Sequence, residues 1–222
     1  MLYVVATPIG NLGDITLRAI EALKSADVIA AEDTRHSGNL LKHLGIQKPF
    51  VSYHEHNEAM RTAELSERLA AGENVALITD AGMPGISDPG ARLIRKCVEL
   101  DLPFTVIPGA SAILMALVGS GFAMKTFTFR GFLPMKSGQR ERELIAAAGR
   151  SETTIFFESP YRLTKTLAKC AELMPDRRIC VARELTKKFE EFRRGNAAEL
   201  LAHYEARTVK GEIVLLIEGS TE

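Results

Sequence analysis

No apolar run in these 222 residues approaches the ~20 needed to cross a bilayer, so no membrane-spanning helix is expected. Cysteine is scarce. Cys97, Cys170 and Cys180 are far apart and lie in apolar patterns, which suits buried thiols rather than disulfides or metal ligands. The start, Met1-Leu-Tyr-Val-Val-Ala-Thr-Pro8, carries no basic leader and reads as a first strand, so a cytoplasmic protein without a secretory signal is expected. There is no His-Glu-x-x-His, and the compact His54-Glu55-His56 lacks the helical spacing that zinc proteases use, so no metal is expected. No Gly-x-Ser-x-Gly occurs. Gly85 to Gly90 has the glycine spacing of a Walker loop, but Ala91-Arg92 stand where Lys-Ser/Thr is required. Internal repeats and low-complexity segments are absent too.

What is present is an ordinary globular composition, 46% apolar and 25% charged, long enough for one large or two modest domains. The net charge of zero hides an asymmetry. Residues 1–120 hold 10 Lys/Arg against 14 Asp/Glu, and residues 121–222 hold 18 against 14. The excess in the second half includes Arg177-Arg178, Lys187-Lys188 and Arg193-Arg194, and a basic half can attract a polyanion. Paired basic residues also serve as a plain solvated face.

The most telling segment is Thr79 to Gly90, Thr-Asp-Ala-Gly-Met-Pro-Gly-Ile-Ser-Asp-Pro-Gly. It follows the apolar run Val75–Ile78 and suits a pre-shaped loop at the carboxyl end of a strand, where open α/β sheets bind ligands. A tight strand–helix turn is the simpler reading. Asp88 is expected to cap the next helix, with Pro89 at its first position and Leu93, Ile94, Cys97 and Val98 on its buried face. Three other loops follow strands in the same manner: Thr7 to Asp14, Glu32 to Arg35 and Pro108 to Ala112. All four are expected at one sheet edge, forming a cleft lined by Asp33, Arg35, Asp80 and Ser111. Gly10 to Gly13, with Asp33 some twenty residues on, approaches a dinucleotide fingerprint, but the full Gly-x-Gly-x-x-Gly is missing and Pro8 interrupts the loop.

Apolar runs place strands at Leu2–Ala6, Val28–Ala31, Val75–Thr79 and Phe104–Ile107, with helical patterns between them. This alternation argues for a mostly parallel sheet covered on both faces. After a boundary at Gly119-Ser120-Gly121, further strands are expected at Phe127–Phe129, Thr154–Phe157, Ile179–Ala182 and Ile213–Ile217. Helices are expected from about Gln139 to Ala148 and after Ser159-Pro160. The reading is an α/β protein with domains over 1–120 and 121–222.

Ala6-Thr-Pro-Ile-Gly-Asn-Leu-Gly-Asp14, Glu32-Asp-Thr-Arg35, His54-Glu-His-Asn-Glu58, Asp80 to Gly90 and Val106-Ile-Pro-Gly-Ala-Ser-Ala112 occur in order. Arg130-Gly-Phe-Leu-Pro134, Glu158-Ser-Pro-Tyr-Arg162, Arg183-Glu-Leu-Thr-Lys-Lys188 and Lys210-Gly-Glu212 continue the series. Together they resemble the ribosomal RNA small subunit methyltransferase I family, of the tetrapyrrole-methylase-like class, over essentially the whole chain. The resemblance implies 2′-O-methylation of a cytidine ribose in the decoding region of 16S rRNA, within the 30S subunit, with S-adenosylmethionine as donor. It further implies a homodimer and two α/β domains with mostly parallel or mixed sheets and the donor cleft between them. Donor contacts are implied at Pro8, Gly82, Met83, Pro84, Ile86, Ser111, Ala112, Leu133, Pro160, Lys210 and Gly211, largely through backbone groups. Members of that family generally continue past the last strand, and the missing tail is expected to weaken autonomous RNA binding more than donor binding.

Methyl transfer from a sulfonium needs alignment but neither a metal nor a covalent intermediate. A ribose hydroxyl needs a proton acceptor or a partner for its developing charge. Asp33, Asp88, Glu158 and Glu184 are the carboxylates on offer. Glu184 is expected as base and Lys187 as oxyanion or phosphate partner, with Asp33 and Arg35 shaping the acceptor side. An ion pair or helix cap is the simpler role for each. The competing functions are a methyltransferase of the same fold acting on a tetrapyrrole-like small molecule or a protein side chain, a nucleotide-binding oxidoreductase, and a non-catalytic RNA-binding module.

Overall fold

The computed structural model describes residues 1–220, and the chain divides into two compact units, residues 1–111 and the part from Ala112 onward. The first unit runs β1 (Leu2–Val5), α1 (Leu17–Ser25), β2 (Val28–Ala31), α2 (Thr34–His43), β3 (Phe50–Ser52), α3 (Glu58–Ala70), β4 (Val75–Ile78), α4 (Ala91–Glu99) and β5 (Phe104–Ile107). Its five strands are parallel, in the order β3-β2-β4-β1-β5. β2 and β4 are buried at every position, as strands covered on both faces must be. Alternate strand residues feed two cores. Ala76 and Ile78 pack with Ala19, Leu23 and Leu41 of α1 and α2, whereas Val75 and Leu77 pack with Leu65, Leu69, Leu93 and Cys97 of α3 and α4. The chain leaves the neighbouring strands β1 and β4 toward opposite faces, which opens a crevice at their carboxyl ends. β5 departs from the continuous burial expected of its apolar sequence: it is an edge strand and exposes Phe104 and Val106.

The start of α4 corrects the sequence reading. The residue at its N-cap is Gly90, with φ 136°, and the helix begins at Ala91, so Asp88 does not cap it and Pro89 lies outside it. The reason is the close approach of the chain to itself. A Cβ on Gly90 would lie 3.1 Å from both Gly85 N and Leu77 Cδ2, and Gly85 N–H donates to Pro89 O at 3.1 Å. The loop therefore closes before the helix starts. Leu93 and Cys97 are buried and Ile94 partly so, but Val98 faces solvent.

The second unit runs α5 (Ala112–Ser120), β6 (Phe127–Phe132), α6 (Ser137–Ala148), β7 (Thr153–Glu158), α7 (Leu163–Leu173), β8 (Ile179–Arg183), β9 (Glu191–Gly195), α8 (Ala197–Glu205) and β10 (Ile213–Ile217). Its sheet is mixed, β6-β7-β10-β8-β9, with only β6 and β7 paired in parallel. α6, α7 and α8 cover one face through Leu144, Leu163, Leu167, Leu200 and Tyr204. α5 packs against β8, β9 and β10 on the other, and the Gly119–Gly121 boundary read from sequence lies at its C-terminal end. A Cβ on Gly119 would overlap the Phe192 ring, and the Arg194 guanidinium donates to the Gly119 and Ser120 carbonyls, which satisfies that helix end. All three cysteines are free and buried, and burial pushes the Cys170 thiol up to about 12. Among the described residues no helix is long and apolar enough to cross a membrane.

Candidate active site

In the first unit, parallel strands put the four loops at one sheet edge, and hydrogen bonds tie them together. Thr7 N–H donates to Gly82 O at 2.9 Å and Gly82 N–H to Thr7 O at 3.1 Å, an isolated bridge between the loops after β1 and β4. The Thr7 hydroxyl donates to Thr79 O. Gly82 is buried with φ 83°, and a Cβ there would sit 3.6 Å from Ile9 and 4.0 Å from Ala110 O. The loops after β1, β4 and β5 thus meet at one residue without a side chain. The fourth loop joins through Asp33 N–H, which donates to Asp80 Oδ1 at 3.2 Å. Pro8 and Pro84 are buried beside this junction, and Met83 packs against the core of α3 and α4. Ile86 instead exposes its side chain, and Ser111 ends the unit.

The same edge gathers carboxylates. Asp88 is pushed up to about 6, first by burial and then by Glu32 and Asp80. Burial and Asp80 likewise raise Glu32. Partly desolvated like charges favour a cation beside them. Asp33 plays a different part. Its carboxylate caps α2, accepting from Arg35 N–H at 2.8 Å, and pairs with the Arg35 guanidinium, which holds it down to about 2. Arg35 itself is exposed.

One contact in this unit escaped sequence reasoning. Glu58, the first residue of α3, turns its Oε1 toward the N-terminus of α4 and accepts from Gly90 N–H at 3.1 Å and Arg92 N–H at 3.4 Å. The buried Tyr53 hydroxyl donates to the same oxygen at 3.1 Å and shares a bond with Thr62. No local signal announces a cap supplied from 32 residues away. The rest of the His54–Glu58 motif shapes a turn, in which Asn57 accepts from His54 N–H and donates to Ser52 O. Among the described residues no three His, Cys, Asp or Glu side chains form a metal-ion cluster.

In the second unit the residues singled out by sequence also share one edge. The first residue of β10, Ile213, pairs with the last residues of both β7 and β8, Glu158 and Arg183. The loops after β7 and β8 therefore flank the Lys210–Glu212 turn, and the loop after β6 follows on the other side of β7. Glu158 is fully buried and engaged: Oε1 accepts from Ser159 N–H and lies 2.7 Å from Arg162, while Oε2 accepts from Thr166. Arg162 in turn donates to Leu133 O. This pair fixes the ends of β6 and β7 around the buried Leu133 and half-buried Pro160, and it holds both Glu158 oxygens in hydrogen bonds inside the fold, away from solvent.

Glu184 and Thr186 both adopt left-handed backbone, φ 51° and 65°. Glu184 Oε1 accepts from Lys187 Nζ at 3.1 Å and from Glu212 N–H at 3.1 Å, and Lys187 also reaches Glu212 Oε2 at 2.7 Å. Burial works against the Glu184 charge, but Lys187 and the Glu212 N–H outweigh it and hold the carboxyl below its usual range. Gly211, φ 89°, lies against that carboxylate so closely that any Cβ would overlap it. Structure thus brings Glu184, Lys187, Lys210 and Gly211 together. Much of the basic excess serves the fold: Arg177 donates to the Ala148 and Glu218 carbonyls, Arg178 pairs with Glu218, and Arg194 closes α5.

Comparison with known proteins agrees with this architecture. Residues 1–201 match the model of the tetrapyrrole (corrin/porphyrin) methylases. The methyltransferase CobJ superimposes with a TM-score of 0.73 at 18% identity, covering 99% of this chain and 94% of that one. Uroporphyrin-III-C-methyltransferase from Thermus thermophilus gives 0.68 at 20% identity, covering 98% and 93%. At that identity the likeness concerns the fold. Ribosomal RNA small subunit methyltransferase I of Synechocystis sp. is 49% identical over all of this chain and 80% of its own. The protein of that name from Bacillus subtilis is 47% identical over 99% of this chain and 75% of its own. The chain belongs to the tetrapyrrole methylase family and, within it, to the ribosomal RNA small subunit methyltransferase I family.

Proposed function

We propose that the protein is an S-adenosylmethionine-dependent methyltransferase that modifies the 2′-hydroxyl of a cytidine in the decoding region of 16S rRNA. The observation that carries this reading is the 49% identity over the whole chain to a ribosomal RNA small subunit methyltransferase I. The loop junction at Gly82 supports it, since the carboxylates gathered at that edge, Glu32, Asp80 and Asp88, suit a cationic donor. We assign donor contacts to Pro8, Gly82 to Pro84, Ile86, Ser111 and Ala112, and further contacts to Leu133, Pro160, Lys210 and Gly211.

The donor supplies an electrophilic methyl on a sulfonium, and transfer to oxygen releases a proton and neutralises the sulfur. We assign the proton to Glu184, which its partners keep ionised at neutral pH. Lys187, oriented by Glu184 and Glu212, is assigned to the developing oxygen charge or a neighbouring phosphate. Asp33 is too acidic for a base, and its pairing with Arg35 suits the acceptor side. Working in the cytoplasm on the 30S subunit and pairing as a homodimer belong to the same proposal. Exposed Phe104 and Val106 on β5, and Leu114 and Val118 on α5, are apolar surface that a second copy would cover.

The test is transfer of labelled methyl to 30S subunits and to deproteinised 16S rRNA. Label at a cytidine 2′-oxygen is the expected result. Transfer to neither substrate, with donor still bound, would overturn the reading.

A further inference from the structure

One edge of the second sheet carries more than the residues assigned above. β6, β7 and β8 all run toward it, because β6 pairs in parallel with β7, and both β7 and β8 pair antiparallel with β10. At this edge four large apolar side chains stand in solvent: Phe132 at 61% exposure, Met135 at 86%, Tyr161 at 89% and Phe189 at 64%. They do not form an aliphatic sheet face. Each belongs to the end of β6 or to a loop, and exposed Lys136 and Lys188 alternate with them.

Two of the rings are held out by anchored backbone. Tyr161 follows Pro160, its N–H donates to Ser159 Oγ at 3.3 Å, and the next residue, Arg162, is locked to buried Glu158 and to Leu133 O. Phe189 sits in a turn closed by Lys187 N–H to Glu184 O, Glu190 N–H to Lys187 O, and Thr186 N–H to Glu190 Oε2 at 2.6 Å. The Lys188 ammonium lies 5.7 Å from the Phe189 ring centroid. A solvent-exposed ring on an ordered loop buries little apolar surface and so gains little for folding. It is what single-stranded RNA needs, since unstacked bases pack on aromatic faces while flanking cations neutralise phosphates.

We propose that this edge is the platform for the acceptor RNA, with Tyr161 and Phe189 stacking on nucleobases beside the methylated ribose and Lys136 and Lys188 meeting the phosphates. The proposal rests on the rRNA reading given above and names the surface that reading lacks. The occupant is single-stranded RNA because the aromatics are interleaved with lysines; a second copy of this chain would call for contiguous apolar area.

The experiment uses the full chain and whichever RNA substrate the wild type methylates, 30S particles or deproteinised 16S rRNA. Tyr161→Ala and Phe189→Ala are each expected to raise KM for RNA about tenfold, with donor affinity by calorimetry and the thermal midpoint unchanged. Tyr161→Phe keeps the ring and restores KM. Lys188→Ala is expected to lower the salt dependence of RNA binding by about one unit of log–log slope. An unchanged KM in both alanine variants, with an active wild type, overturns the platform while leaving the methyltransferase reading intact. A changed sedimentation coefficient with unchanged KM also overturns it and marks the edge as a protein interface. A wild type that methylates no RNA removes the underlying reading, and the platform with it.

Discussion

Glu58 Oε1 and Gly90 N–H meet at 3.1 Å, so α4, the helix that follows the Thr79–Gly90 loop, is capped by the first residue of another helix. The position that the sequence marks for this duty, Asp88, keeps its carboxyl beside Glu32 and Asp80 instead. Tyr53 fastens Glu58 from below, and the loop from Gly82 to Gly90 is thereby braced by the His54–Glu58 segment. One carboxylate links helix stability to the shape of the loop to which the donor is assigned.

Glu58→Ala is expected to cost about 1–2 kcal/mol in urea unfolding, the size of a lost cap with its charged hydrogen bonds. Donor binding should weaken in parallel. Glu58→Gln keeps an accepting oxygen and should recover most of both. Equal donor affinity in all three proteins would mean that the brace does not reach the donor.

Gly82→Val places a β-branched residue at φ 83°. A Cβ itself has room, 3.6 Å from Ile9, so the backbone penalty of at least about 1–2 kcal/mol is the minimum, before valine's two methyl groups are placed at this buried position. Calorimetry should detect no S-adenosylmethionine binding to a protein that is still folded by circular dichroism. Retained affinity would move the donor site elsewhere.

Glu184→Gln preserves an oxygen for the Glu212 N–H but accepts no proton. Methyl transfer should fall about 10²–10⁴-fold with donor affinity held. Lys187→Ala should also lose transfer while binding donor. Full turnover in Glu184→Gln would reduce Glu184 to a strut beneath Gly211.

Asp88 has a defined pH signature. Its folded value of about 6 lies above the ordinary 3.8, so between these values the folded protein binds more protons than the unfolded chain. Its contribution to stability is complete below about pH 4 and is lost as pH rises toward about 6. Asp88→Asn removes the titration. Its urea midpoint should decline less across that window and exceed the wild-type midpoint at neutral pH. Parallel profiles for the two proteins would exclude Asp88 as the titrating group.

Glu158 is buried and pairs with the partly buried Arg162, and removing Arg162 strands the carboxylate. Arg162→Ala is expected to destabilise by about 3–5 kcal/mol in denaturant titration. A loss below about 1 kcal/mol would show that water replaces the guanidinium.

Several elements could be read from sequence because one physical rule dominates them. Val28–Ala31 and Ile213–Ile217 are short apolar runs between polar ends, and burial on both faces leaves them little choice but central strands. The loops at Thr7, Glu32, Thr79 and Pro108 follow such strands, so a parallel sheet had to bring them together. Other elements followed no period. α5, Ala-Ile-Leu-Met-Ala-Leu-Val-Gly-Ser, is apolar on all sides and shows no helical face. β9, Glu-Phe-Arg-Arg-Gly, is polar because it is an edge strand. α8 had a signal in its capping box, Asn196 with Glu199, which the short apolar pattern behind it does not amplify.

The sequence by itself determined the fold class, the two sheets and the family, because burial patterns and ordered loop motifs are local properties that survive without coordinates. Tertiary structure alone decided what the charged groups do. Glu58 caps a helix 32 residues away, Glu158 is consumed by Arg162 and Thr166, Asp33 is spent on α2 and Arg35, and Asp88 is left half-buried among like charges. A carboxylate's role depends on which donors lie within about 3 Å of it. That distance is set by chain folding between segments remote in sequence.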